Sequence, residues 1–251
     1  MTRKVEHADA DKRTRRRHIR IALHLIGWPL LGLICALVAV VVYVGPRVSG
    51  KLAAPRSDAR PKARAEPAEP IPQFESHTCG LLSLAAAYRA YGLSDEDKNL
   101  RFRLGVDRVA HPFDETSTGT LHPDLLRVIV QDGFRYTLID PASLGAEDLV
   151  RAHLDAGDVA LFLIARRENG ALHWVMSDAV LDHGRIRVVD SLRSEPAIEP
   201  AGDFLRDLAL SIVAIAPLGN APELSVLRAH ADGGAEMKRV YERLSLRAAA
   251  R

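Results

Sequence analysis

The chain has 251 residues, enough for one sizeable domain plus accessory segments, and a formal net charge of +2, so no overall basic excess marks it for nucleic acid. Its two cysteines, Cys35 and Cys79, form no Cys/His cluster with zinc-type spacing. Cys35 also falls in an apolar run expected to lie in a bilayer, so a disulfide between the two is not expected.

Charge is concentrated at the start. Residues 1–20 hold Arg3, Lys4, Lys12, Arg13, Arg15, Arg16, Arg17 and Arg20 against Glu6, Asp9 and Asp11. A nucleic-acid arm is one reading of Arg15-Arg16-Arg17. The apolar run directly after it favours a topology signal on a cytoplasmic segment. Residues 21–44 contain no Asp, Glu, Lys or Arg. As a helix they rise about 36 Å at ~1.5 Å per residue, enough to cross a hydrocarbon core of about 30 Å with tilt. Trp28 and Tyr43 suit the two interfaces, and His24 lies close enough to the basic end to snorkel. The run exceeds the roughly 7–15 residues of a signal-peptide core, so an uncleaved transmembrane anchor in the cell (inner) membrane is predicted. Six basic residues from Lys12 to Arg20 face four beyond the span (Arg47, Lys51, Arg56, Arg60), which orients the large C-terminal part outside the cytoplasm.

Residues 45–72 are predicted as a tether, with Pro46, Pro55, Pro61, Pro67, Pro70 and Pro72 set among Ala, Arg, Lys and Glu. A globular domain is predicted over 73–218. Leu81, Leu82, Leu84, Ala85 and Tyr88 recur at helical spacing, giving a helix that opens at Cys79 and stops at Gly92. Ser94-Asp95-Glu96-Asp97 predicts the N-cap of a second helix toward Leu104. Residues 105–121 read as loop. Pro123 starts a third helix over Asp124–Gln131, stopped by Gly133. A strand over Phe134–Ile139 and a helix over Ala146–Ala156 follow. Strands are then predicted at Val159–Ala165, Leu172–Leu181, Arg185–Asp190 and Leu208–Pro217, with hairpin turns at Asn169-Gly170 and His183-Gly184. Helices first and an antiparallel meander afterwards predict an α+β fold. The tail, 219–251, reads as one or two amphipathic helices interrupted at Gly233-Gly234, docked on the domain or lying at a membrane surface.

Three residue types in that order carry chemistry. Cys79 at a helix start meets the macrodipole and free N–H groups that stabilise a thiolate, the nucleophilic form. A free cysteine is also among the most buried residue types, and a lone one at the edge of a core helix is usually filler. His173 follows the Asn169-Gly170 turn and shares a strand face with Val175 and Ser177, while Trp174 and Met176 share the other. Asp190 ends the next strand, where antiparallel pairing can bring it to His173. A carboxylate there would orient the imidazole while its other nitrogen faces the sulfur. The amide of Gln73, six residues before Cys79, can donate to an oxyanion beside the Cys79 N–H.

Gln73-x5-Cys79-Gly80, His173-Trp-Val and Val-Val-Asp190 resemble the peptidase C39 family, papain-like cysteine proteases that cleave peptide leaders after a double glycine. Tyr91-Gly92 and Glu115-Thr-Ser-Thr-Gly119 fit the same pattern, and the resemblance spans roughly residues 72–195. It implies a papain-like cysteine peptidase fold with Cys79 as nucleophile, His173 as general base and acid, Asp190 as its orienter and Gln73 as oxyanion donor. Two departures stand out: Thr78 precedes the cysteine where the family often has Asp, and Ser191 follows the aspartate where Pro is common. No cofactor, metal, nucleic acid or ATP is expected, there being no Walker A motif. The expected partners are a peptide or protein substrate and the cytoplasmic membrane, through residues 21–44. Two other readings share these residues: a catalytically inactive peptide-binding module, and a Cys-dependent amidase or acyltransferase.

Overall fold

The computed structural model describes residues 28–39, 58–96, 98–109, 117–219 and 225–249. The chain divides into two units, Met1–Val48 and Ser49–Arg251. In the first, residues 28–39 form a helix, α1, and Trp28, Leu30, Leu31, Leu33, Ile34, Leu37 and Val38 are all at least half exposed. Among the described residues no helix is long and apolar enough to cross a membrane. The remainder of the expected span, residues 21–27 and 40–44, lies outside the described residues, as do the basic segment 1–20 and residues 45–57.

The second unit is an α+β fold on one antiparallel sheet. Its elements are α2 (Cys79–Ala90), α3 (Leu100–Leu104), α4 (His122–Gln131), β1 (Phe134–Ile139), α5 (Ala146–Asp155), β2 (Val159–Ala165), β3 (Leu172–Leu181), β4 (Arg185–Val189), β5 (Ala197–Pro200), α6 (Ala201–Asp207), β6 (Ala209–Pro217) and α7 (Val226–Ala249). The strand order is β1-β6-β2-β3-β4-β5: β2, β3 and β4 follow the expected meander, but the last predicted strand, β6, does not continue it beside β4 and inserts between β1 and β2. Both faces of the sheet are covered, which is why β2 reads as an unbroken apolar run, buried at six of its seven positions. Alternation then sorts the side chains. Leu161, Leu163, Trp174 and Met176 join the core beneath α2 and α4, whereas Ala160, Phe162, Ile164 and Val175 join the core beneath α5 and α6. Each large apolar side chain so buried contributes roughly 1.5–3 kcal/mol.

A buried polar network ties α2, α3 and α4 together on the first face. Arg103 Nη1 donates to both Asp132 oxygens at 2.9 Å, and Tyr88 Oη donates to Asp132 Oδ2 at 2.8 Å. Burial raises the Asp132 pKa, opposed by Arg103 and Tyr88. Losing one member of such a pair leaves an uncompensated buried charge, which costs about 3–5 kcal/mol.

Several expectations are corrected. The second helix is only Leu100–Leu104, because Asn99 adopts a left-handed φ of 52° that breaks any helix begun at Ser94. The third helix starts at His122, two residues before the predicted Asp124. Asp190 lies one residue beyond β4, and β6 begins at Ala209. Strand β5 and helix α6 have no counterpart among the predicted elements. Within the tail, Val226–Ala249 form a single helix that passes through Gly233-Gly234 without interruption. A Cβ on Gly233 would fall 2.6 Å from the backbone of Pro123, so this glycine serves close packing of α7 on α4 rather than a break. The C-terminal part of the expected tether is stitched to the domain: Lys62 N–H donates to Tyr91 O, Ala65 N–H to Gly157 O and Glu66 N–H to Ala90 O, each at 2.9 Å. Ala68 is buried there, its N–H donating to Asp178 Oδ2 at 2.7 Å. A proline-rich composition removes few donors here, because the bonds fall on the residues between the prolines.

Candidate active site

Cys79 is the first residue of α2, so its N–H has no acceptor within the helix. The preceding turn is fixed by Thr78, whose N–H and Oγ1 both donate to Glu75 O at 3.2 and 2.9 Å. Two contacts set the helix against β3. Ser83 Oγ donates to Trp174 O at 2.9 Å, and Gly80 lies so close to its neighbours that a Cβ would sit 2.5 Å from Thr120 Cβ and 2.9 Å from Trp174 Cδ1. At the far end Gly92, with φ of 76°, closes the helix: its N–H bonds Arg89 O and that of Leu93 bonds Tyr88 O, the expected glycine stop.

His173 is the second residue of β3, paired with Ile164. Its Nε2 lies 2.6 Å from Asp190 Oδ1. That oxygen also accepts the Leu192 N–H at 2.9 Å, and Arg193 Nε stands 3.8 Å from Oδ2. Burial lowers the pKa of His173, but hydrogen bonds to Asp190 and to Cys79, with the charges of both, outweigh it and raise the pKa to about 9. For Asp190 burial acts upward, yet His173, the Leu192 N–H and Arg193 hold the carboxyl below its ordinary value. At neutral pH the pair is therefore imidazolium and carboxylate. Its second nitrogen, Nδ1, is left for the Cys79 side.

Gln73 is engaged differently. Its Oε1 accepts from Ser191 Oγ at 2.8 Å, its backbone N–H donates to Ser191 O at 3.0 Å, and its Nε2 donates to Glu75 O at 2.8 Å. Gln73 thus clips the segment leading to Cys79 onto the residue after Asp190. One amide hydrogen remains on Nε2. Glu115 and Thr116 of the expected loop motif lie outside the described residues. Ser117 to Gly119 are described: Ser117 pairs with Val109, and Gly119, with φ of 65°, approaches the His77 carbonyl so closely that a Cβ would stand 2.9 Å from it.

Two cavities bracket the site. Cys79 lines one of about 290 Å³, with Ser76, His77, Thr120, His122, Leu163, Trp174 and three residues of α7. His173 and Asp190 line a second, of about 300 Å³, whose walls carry Arg166, Arg167, Glu168, Arg193 and Glu199. His122 is a neighbour of the site that no sequence motif marks. It is buried, packs against Trp174 with ring centroids 4.9 Å apart, and has a pKa lowered to about 4 by burial and by Arg243. Nothing in its local sequence distinguishes it from the other histidines.

Glu75, His77 and Asp107 place potential metal-ligand atoms within 4.8 Å of one another. Arg101 already bridges both carboxylates, at 2.8 Å to Glu75 and 2.7 Å to Asp107, and its hydrogen bond is the main reason the Asp107 pKa falls.

No protein-family model matches this chain, and no curated protein matches it. Among solved structures it is similar to the peptidase domain of Streptococcus ComA, a bi-functional ABC transporter involved in a quorum-sensing pathway, at 15% identity and a TM-score of 0.44 over 60% of this chain and 99% of that one. It is also similar to a double glycine motif protease from an AMS/PCAT transporter in complex with the leader peptide, at 18% identity and a TM-score of 0.43 over 63% and 99%. The peptidase domain of Streptococcus mutans ComA is similar at 13% identity and a TM-score of 0.39 over 59% and 99%.

Proposed function

We propose that the chain is a membrane-anchored cysteine peptidase of C39-like type, acting on a peptide outside the cytoplasm. The observation that carries this is the 2.6 Å contact between His173 Nε2 and Asp190 Oδ1, with Cys79 as the imidazole's other partner at the start of a helix. In this mechanism Cys79 Sγ attacks the scissile carbonyl carbon. Negative charge develops on the carbonyl oxygen, where the Cys79 N–H and the remaining Gln73 amide hydrogen would donate. Collapse breaks the C–N bond as His173 gives its proton to the leaving amine, leaving a thioester. His173 then takes a proton from water, hydroxide adds to the thioester carbonyl, and the free acid departs as the sulfur recovers its charge. Asp190 keeps the imidazole oriented and stabilises its charged form throughout.

The double-glycine leader implied by the sequence resemblance is the first substrate to try. The test incubates the full chain with peptides carrying a double glycine and with a mixture of unrelated peptides, reading new termini by mass spectrometry. Cleavage lost in Cys79→Ala supports the proposal; cleavage of equal rate in that variant overturns it. The anchor is proposed for residues 21–44, supported by the apolar, exposed surface of α1. A topology reporter fused after Arg251 checks the side of the membrane, and a cytoplasmic signal would reverse the assigned orientation.

A further inference from the structure

We propose that the C-terminal helix α7 completes a substrate subsite beside Cys79 that selects one bulky, uncharged side chain near the scissile bond. This rests on the peptidase reading above and adds to it the class of residue recognised. The cavity that Cys79 lines has Leu163 of β2 and Trp174 of β3 on one side, and Met237, Val240 and Tyr241 of α7 on another. Its volume of about 290 Å³ is roughly twice the ~150 Å³ that admits a benzene ring. A pair of glycines would leave most of it empty.

The lining also sets the charge of the occupant. Among the described residues no Asp, Glu, Lys or Arg lines this cavity. His122 is held neutral by its burial, and its Nε2 and the Thr120 Oγ1 are buried polar atoms without a hydrogen-bond partner. A charged side chain entering here would lose its hydration to walls that carry no carboxylate, ammonium or guanidinium group. An aromatic or aliphatic side chain would gain apolar contact with α7 and Trp174.

The wall is fixed in place. Gly233 packs α7 directly on Pro123. Tyr136 Oη donates to Asp232 Oδ2 at 2.6 Å. Glu236, buried, pairs with Arg239 at 2.7 Å and Arg243 at 3.0 Å, and Arg247 Nη2 donates to Ala209 O at 2.9 Å. A helix held by both α4 and β6 behaves as part of the cleft, and its side chains decide what fits.

The experiment incubates the full chain, in detergent, with a defined mixture of unbiased peptides and aligns the cleavage sites. The expected result is enrichment of Phe, Tyr, Leu or Met, about tenfold or more over Gly, at one position near the cut, with Asp, Glu, Lys and Arg depleted there. In Met237→Trp, which fills the cavity, enrichment at that position alone should collapse. Because a larger side chain at 237 can unseat α7, Tyr241→Ala is read beside it and should shift the preference toward larger rings. Cleavage without enrichment at any flanking position, or an unchanged pattern in both variants, overturns the subsite and leaves the peptidase reading standing. Absence of cleavage by a chain whose Cys79 is readily alkylated by iodoacetamide overturns both.

Discussion

Two buried histidines stand near the start of α2. His122 is 2% exposed and His173 is 4% exposed, so depth does not separate them. Desolvation pushes any buried imidazole toward its neutral form. His122 follows that push, with a pKa of about 4 and the positive charge of Arg243 acting in the same direction. His173 goes the other way, to about 9, because Asp190 and Cys79 face its ring. The comparison teaches that the partner, not the depth, fixes the charge. An imidazole that already holds a proton at neutral pH has one to hand to a leaving amine, so the same side chain is a packing element in one place and a candidate acid in the other.

The sharpest way to break this comparison is to take the carboxylate from His173. Asp190→Asn keeps the burial and the hydrogen-bond shape but removes the anion. Peptide turnover should fall by about 10²–10⁴-fold. The alkaline limb of the pH–rate profile, expected near pH 9 in the parent chain, should move down by a unit or more on the order of the lost charge effect. A limb that stays in place would assign the acid to another group.

Stability tests the pair next, because their contributions slope in opposite directions. Between pH 6.5 and 4 the unfolded chain protonates His122 while the folded chain does not, so stability falls as pH drops through that window. At about 1.4 kcal/mol per unit the loss approaches ~3 kcal/mol. His173 has a raised folded value, so its contribution is full below pH 6.5 and is lost as pH climbs through about 9, by a similar ~3 kcal/mol. Urea midpoints measured across pH should show both limbs. His122→Phe should flatten the acid limb and leave the alkaline one, whereas His173→Gln should do the reverse. If His122→Phe leaves the acid limb intact, its imidazole is not the group being titrated.

Gly80→Ala should have the smallest effect of the three. The new methyl would meet Thr120 and Trp174, so α2 or these neighbours must shift, which is expected to disturb the placement of the adjacent Cys79. Overpacking of this kind costs about 1–3 kcal/mol. Iodoacetamide labelling of Cys79 should slow about tenfold, the equivalent of ~1.4 kcal/mol, and a rate equal to the parent's would show that the close approach is not needed.

The sequence announced what local rules govern. Apolar runs and glycine stops placed β1, β2, β3 and the Cys79 helix, because period and left-handed φ are properties of a few adjacent residues. Cys79, His173 and Asp190 were legible through their order along the chain. The rest depended on distant partners. Strand β5 has four residues and, among the described residues, pairs only with β4, so Ala197–Pro200 is too short to carry a period to detect. Gly233-Gly234 looked like a break, since nothing local reveals that Pro123 lies against Gly233. Gln73 meets Ser191 across 118 positions, and His122 joins the Cys79 cavity only after α4 docks.

The strand order has a consequence for how the protein comes into being. Among the described residues strand β1 has β6 as its only neighbour, and β6 also pairs with β2. During synthesis residues 134–139 must therefore wait, unpaired, until residues 209–217 have left the ribosome. The wall supplied by Met237, Val240 and Tyr241 arrives later still. Such long-range closure is slow and leaves edges open to misassembly. The nascent polypeptide thus carries Cys79 well before α7 has closed the cavity beside it, so the candidate site takes its final shape only after residues 226–249 have emerged.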